Sequence, residues 1–155
     1  VVDASPLIHL SRTRNIHFLT TLAPTIVVPA PVYEEVRAKT SDESARVIQQ
    51  TAWLRLVPGP SIPDDIRPWD LGAGEAAVLA WARTHPGCLA ILDDARGRKL
   101  AEELGLSVIG TLGIVLRAKR RGLIPQARPV VERMMANGMY LSQSILQKAL
   151  ALVGE

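Results

Sequence analysis

Short β-branched runs alternate with longer helical stretches along the whole chain, and this alternation restricts the fold more than any other feature. Thr25-Ile26-Val27-Val28-Pro29 reads as a buried strand, and residues 52–57 alternate well enough for another. Residues 88–92 form a further strand that stops at Asp93-Asp94, and residues 107–109 a short one. Val1-Val2 reads as the end of a strand that starts one or two residues earlier.

Helical stretches separate these runs. The first covers residues 6–11, with Ser5 as N-cap and Pro6 at the first helical position. Pro31 opens the next, which runs through Tyr33, Glu35 and Val36. Residues 41–50 follow with a start at Ser41 or Ser44, then the Ala-rich stretch 74–83. Residues 95–104 end at Gly105, and residues 111–121 end at Gly122. Two last helices cover residues 125–136 and 142–153, the second capped by Ser142.

Strands separated by helices pair in parallel through right-handed crossovers. The expected fold is a single-domain three-layer α/β/α sandwich with a central, mainly parallel sheet over residues 1–124. Residues 125–155 are expected as a C-terminal helical extension packed on the same domain. The proline-rich segment 58–69 is the one candidate linker.

A chain of 155 residues suits one core. Aromatic residues make up only 4%, so that core must be aliphatic. The same scarcity weighs against modules that stack bases on aromatic platforms. The net charge of +3 and a pI of 9.4 suit a nucleic-acid partner without demanding one. The single Cys88 excludes an internal disulfide and a cysteine zinc cage. With no bridge to form, no secretory signal and no apolar stretch long enough to span a membrane, the expected location is cytoplasmic.

The acids fall in a pattern. Ligands of open parallel sheets bind at the carboxyl ends of the strands. Asp3 ends the first strand and Asp93 ends Leu89-Ala90-Ile91-Leu92. Glu35 lies about one turn into the helix after the second strand, with Glu34 beside it as an equal alternative. Glu75 lies in the first turn of the helix after Gly72-Ala73-Gly74. Each also has a plain structural reading: Asp3, Asp93 and Asp94 as helix caps, Glu75 as a first-turn acid favoured by the helix dipole. Four carboxylates in one cleft repel one another, and Mg²⁺ or Mn²⁺ is the natural counter-charge for hard oxygen ligands. Such an ion serves phosphodiester cleavage. His9, His17 and His85 lie in three unrelated places, none with a nucleophile in a recognisable motif.

Five segments in order resemble a PIN domain: Asp3-Ala4-Ser5-Pro6-Leu7-Ile8; Val28-Pro29 with Val32-Tyr33-Glu34-Glu35-Val36; Leu71-Gly72-Ala73-Gly74-Glu75-Ala76; Leu92-Asp93-Asp94-Ala95-Arg96-Gly97-Arg98; and Gly110-Thr111-Leu112-Gly113. The nearest subgroup is similar to VapC-type toxins of toxin–antitoxin pairs. The match covers residues 1 to about 124, and the tail with Gly138-Met139-Tyr140-Leu141-Ser142 is similar to that subgroup's extension. The resemblance implies Asp3, Glu35, Glu75 and Asp93 as catalytic, metal-binding acids of a Mg²⁺- or Mn²⁺-dependent endoribonuclease. Asp93 is preferred because it stands five positions before Arg98, with Asp94 as second choice. Ser5 and Thr111 are expected as caps or as supports of the ligating carboxylates. The resemblance further implies a homodimer and a protein antitoxin. One departure is Ile91, two positions before Asp93, where the family often carries Thr or Ser.

Arg12, Arg96, Arg98 and Lys99 are the candidates for contacts to RNA phosphates. Arg117, Lys119, Arg120 and Arg121 equally suit the end of a helix. The late helices carry Met134, Met135 and Met139 among apolar residues, mostly for the core; any methionine face left over would suit a partner subunit or an antitoxin helix. The alternatives to a nuclease are a non-catalytic PIN-like interaction module and a dinucleotide-binding domain, the latter suggested by Gly72-Ala73-Gly74-Glu75-Ala76-Ala77.

Overall fold

Val1 and Val2 hold the sheet together from its middle. The computed structural model describes residues 1–39 and 42–155. Strand β1 (Ile26–Pro29) pairs in parallel with β2 (Leu54–Val57), Ile26 opposite Leu54 and Pro29 opposite Val57. Strand β3 (Leu89–Ile91) pairs in parallel with β4 (Ser107–Ile109), Leu89 opposite Ser107. The first residues join the two pairs. Val2 N–H donates to the Val27 carbonyl at 3.0 Å on one side. On the other, Ile91 N–H donates to Val1 at 2.8 Å and Asp3 N–H donates to Ile91 at 2.9 Å. The parallel array therefore runs β2, β1, residues 1–2, β3, β4.

Eight α-helices surround these strands among the described residues: α1 (Ala4–Arg12), α2 (Ala30–Lys39), α3 (Asp42–Gln50), α4 (Ala73–Thr84), α5 (Ala95–Glu103), α6 (Thr111–Arg120), α7 (Arg128–Ala136) and α8 (Gln143–Ala151). The molecule is the single-domain α/β fold expected from the alternation of strands and helices. No helix among the described residues is long and apolar enough to cross a membrane.

Several element boundaries and caps differ from expectation. Helix α1 starts at Ala4, so Ser5 lies inside the first turn and Asp3 takes the N-cap position. Pro6 is tolerated there because the first helical N–H groups have no partner within the helix. Helix α7 starts at Arg128, three residues late, with a proline again in its first turn. Thr111 is the first residue of α6 and Gly110 its cap. Ser41, one expected start of α3, lies outside the described residues.

The core is aliphatic with one fully buried Phe18. Val2, Leu7, Leu10, Ile26, Val28 and Ile114 lie in one cluster, and Val130, Val131, Met134, Leu146 and Leu150 of α7 and α8 belong to it. A smaller cluster gathers Leu79, Leu92 and Leu100 with Ile66. Segment 58–69 is therefore no linker: Ile66 is 1% exposed, and Ile62 and Trp69 pack beside it. Met134 and Met139 are buried and Met135 half-buried, so no methionine face remains. Tyr140, Ile145 and Leu152 are exposed instead.

Candidate active site

The order of the array puts the ends of residues 1–2 and of β3 side by side, so Asp3 and Asp93 emerge on one edge. Asp3 is only 3% exposed. Its side chain makes no cap bond to α1, and Oδ1 has no hydrogen-bond partner. Burial pushes its carboxyl up to about 7; the Ala4 N–H opposes the rise, while the charges of Glu35, Glu75 and Asp93 add to it. An orphaned buried carboxylate oxygen of this kind is costly unless something else meets it.

Gly74, in the first turn of α4, brings a second acid to Asp3. A Cβ on Gly74 would stand 2.7 Å from Glu35 Oε2 and 3.1 Å from Asp3 Oδ1, so only glycine leaves both carboxylates where they are. The other oxygen of Glu35 accepts from the Lys39 ammonium one turn along α2. Lys39 feels Glu35 first, then Asp3 and Glu75, and its pKa rises. Glu34 turns outward and pairs with Arg37 at 3.2 Å. The structure thus separates two neighbours that the sequence left equal: Glu35 faces Asp3 and Glu34 faces solvent.

Glu75 Oε2 accepts from the Gly72 N–H at 3.0 Å, closing the first turn of α4. Its pKa is raised by burial; the Gly72 bond lowers it, and Asp94 and Glu35 raise it further. Asp93 is held from α6: Thr111 N–H donates to Oδ1 at 2.7 Å and the Thr111 hydroxyl to Oδ2 at 2.6 Å. Thr111 is fully buried. Asp94 takes the N-cap of α5, accepting from Gly97 N–H at 2.8 Å.

A cleft of about 810 Å³ opens beside these acids. Its lining includes Ser5, His9, Glu75, Asp93 and Arg98, but neither Asp3 nor Glu35. Arg98 lies close to Asp93 across Gly110, where an added Cβ would meet Asp93 Oδ1 at 2.9 Å and Arg98 Nη1 at 3.2 Å. The other expected phosphate contacts are occupied elsewhere. Arg12 donates to the Asn137 carbonyl at 3.4 Å, and Arg96 to that of Trp69 at 2.8 Å. Lys99 lies 5.8 Å over the Trp69 ring. Three of the four late cations are likewise tied inward: Arg117 to Thr21, Lys119 to Glu155 and Arg120 to Leu152.

Reasoning from sequence missed Lys39, Gly74 and His9. Lys39 carried a usable signal, the i,i+4 spacing from Glu35. His9 stands one turn after Ser5 on the same cleft; burial lowers its pKa, Asp93 raises it and Arg12 lowers it, and Nδ1 has no partner. Among the described residues no three His, Cys, Asp or Glu form a group that could hold a metal ion. Glu35, Glu75 and Asp93 each accept hydrogen bonds from donors of the chain itself.

The dinucleotide reading does not survive this geometry. No strand leads into Gly72, and the Glu75 carboxylate occupies the amide at the start of α4, where a pyrophosphate would need it. The site and fold instead define an α/β domain with acids gathered at the strand ends. The family model of the PIN domain matches residues 1–155, and the chain belongs to that family, whose members are generally nucleases. No match was found among curated proteins or among solved structures.

Proposed function

We propose that the chain is a Mg²⁺- or Mn²⁺-dependent endoribonuclease whose metal is held by Asp3, Glu35, Glu75 and Asp93. The observation that carries this reading is the unpartnered, buried oxygen of Asp3, set among three other acids whose charges act on it. PIN-domain nucleases generally use divalent metals, and an all-carboxylate donor set suits a hard cation. When bound, such an ion supplies positive charge to a phosphodiester under attack and acidifies water.

The chain's own residues have distinct tasks in this reading. Asp3 presents a fixed oxygen at the strand edge. Thr111 holds Asp93 by two bonds, so its carboxylate enters the site at a set angle. Lys39 offsets the charge of Glu35, which would be free to ligate an ion if the pair opened. Arg98, beside Asp93, receives the RNA phosphate. Residues 125–155 extend the nuclease domain 1–124. The resemblance to VapC-type toxins extends the proposal to a homodimeric toxin restrained by a protein antitoxin, read by sedimentation and by co-expression with a neighbouring small reading frame.

The test is incubation of the protein with mixed-sequence single-stranded RNA and Mn²⁺. The proposal expects cleavage that disappears with EDTA and in Asp93→Asn. A second reading, a non-catalytic interaction module, is favoured by the absence of an assembled ligand group among the described residues. It expects no cleavage and no rise in melting temperature with millimolar Mn²⁺.

A further inference from the structure

Glu75 and Asp93 line one cleft, yet they stand at the starts of different helices, α4 and α5. Glu75 also feels the negative charges of Asp94 and Glu35. Like charges at two helix starts push those helices apart, so acids that hold a fixed spacing need ties that oppose the push.

The segment before α4 supplies such ties. Ile66 is buried in the smaller core cluster, and Ile62, Trp69 and Leu71 pack on it. That cluster joins Leu79 of α4, Leu100 of α5 and Leu92, the residue before Asp93. Helix α5 lies so close to Leu92 that a Cβ on Gly97 would stand 2.8 Å from Leu92 Cδ2. Polar bonds then fasten the segment to both helices. Arg83, in the last turn of α4, donates to Asp65 Oδ2 at 3.3 Å. Arg96, in the first turn of α5, donates to the Trp69 carbonyl at 2.8 Å, and Lys99 lies 5.8 Å over the Trp69 ring. After Trp69 the chain passes through Asp70, in the left-handed conformation with φ 49°, to Gly72, whose N–H holds the Glu75 carboxylate. A short run of backbone thus connects the Arg96 bond to Glu75, while Arg96 itself stands on the helix that Asp93 leads into.

The sequence makes Arg96 a candidate for an RNA phosphate, but its guanidinium already has a carbonyl partner that ties two elements together. We propose that Arg96 is a positioning residue: through the Trp69 carbonyl it braces the start of α5 against the segment before α4 and so sets the spacing of Asp93 and Glu75 for a divalent ion. This rests on the metal-dependent reading of the acids and adds to it a residue that touches neither the ion nor RNA.

The measurement is the Mn²⁺ titration of melting temperature, made on the full chain for the parent, Arg96→Ala, Arg96→Lys and Arg67→Ala. Arg67 is the control, because its bonds to Asp64 and to the Ile62 carbonyl stay within the segment. Arg96 and Arg67 are both exposed, so in EDTA every variant should melt within about 3 °C of the parent. Loss of a support behind a metal ligand weakens metal binding about tenfold or more. Arg96→Ala should therefore need about tenfold more Mn²⁺ to reach half of its rise in melting temperature. Arg96→Lys keeps a donor for the carbonyl and should return to within about threefold of the parent, and Arg67→Ala should coincide with it. Cleavage of mixed-sequence RNA separates positioning from phosphate contact: in Arg96→Ala kcat should fall at low Mn²⁺ and recover as Mn²⁺ is raised, with KM for RNA within about twofold of the parent. An Mn²⁺ midpoint unchanged in Arg96→Ala overturns this inference and leaves the metal site standing; a raised KM beside it would assign Arg96 to the phosphate. A shift that Arg67→Ala shares and Arg96→Lys does not recover overturns it too, because that pattern is general loosening of the segment. An unsubstituted protein that neither responds to Mn²⁺ nor cleaves RNA overturns the metal-dependent reading itself, and this inference with it.

Discussion

Thr111 grips both oxygens of Asp93, its backbone N–H at 2.7 Å on one and its hydroxyl at 2.6 Å on the other. The pair ties the end of β3 to the start of α6 and fixes the carboxylate that the sequence preferred over Asp94. Hydrogen bonds to charged groups contribute about 1.5–3 kcal/mol. Thr111→Val keeps the shape and removes the hydroxyl donor, so it is expected to lower stability by about that amount. Cleavage should fall roughly tenfold or more, as when a support of a metal ligand is lost. Thr111→Ser should recover most of both. Urea unfolding and single-turnover cleavage measure the two effects; full activity in Thr111→Val would remove Thr111 from the machinery.

Asp3 gives the metal-free protein an unusual pH dependence. Its carboxyl rises from 3.8 to about 7 on folding, chiefly through burial. The folded state therefore holds the proton more tightly than the unfolded state. Stability from this group is complete below about pH 4 and is lost as pH rises toward 7. Three units correspond to a loss on the order of 4 kcal/mol. In EDTA, Asp3→Asn should thus match the parent near pH 4 and melt higher than it at pH 8. Mn²⁺ should reverse the order at pH 8 by raising the melting temperature of the parent alone. Parallel melting curves for the two proteins across this range would show that Asp3 is not strained.

Some of this was legible before the structure, and the reasons differ residue by residue. Asp3 and Asp93 could be read because each directly ends an apolar run, and strand ends face the ligand edge of a parallel sheet. Glu35 could not be separated from Glu34, because adjacent helical positions differ only in what they meet across space. Lys39 and Gly74 make that difference, and Gly74 belongs to another helix. Ser5 was misplaced as a cap because Pro6 is acceptable at more than one first-turn position. The late start of α7 reflects Glu155, whose carboxylate accepts from Ala127 and Arg128 N–H at 2.6 and 2.9 Å. The exposure of Tyr140 had no local signal at all, since an apolar stretch reads as core wherever its neighbours are unknown.

Glu155 also makes a prediction of its own. Lys119, then the Ala127 and Arg128 amides, hold its carboxyl well below the ordinary 4.5, at about 2. The stabilisation from a lowered carboxyl is present above pH 4.5 and is lost as pH falls toward 2. Glu155→Gln is therefore expected to lower the melting temperature at pH 7, with the gap shrinking below pH 4.5. Hydrogen exchange at the Ala127 and Arg128 amides should quicken in the variant at pH 7. A gap that stays constant down to pH 3 would mean that the charge on Glu155 contributes nothing.

Gly74 separates the fold from the chemistry. A methyl group there meets Glu35 Oε2 at 2.7 Å and Asp3 Oδ1 at 3.1 Å, yet the first of these is the end of a flexible side chain that can swing aside. Alanine is also the better helix former, by about 1 kcal/mol. Gly74→Ala should therefore fold, with a melting temperature in EDTA close to that of the parent. It should lose the juxtaposition of Glu35 and Asp3, and with it the rise in melting temperature produced by Mn²⁺. Cleavage should drop at least tenfold at subsaturating Mn²⁺ and recover in part as the metal concentration is raised. The decisive comparison is the Mn²⁺ titration of melting temperature in the two proteins. Coincident curves would mean that Glu35 and Asp3 do not act on the same ion, and Glu35 would leave the proposed ligand set.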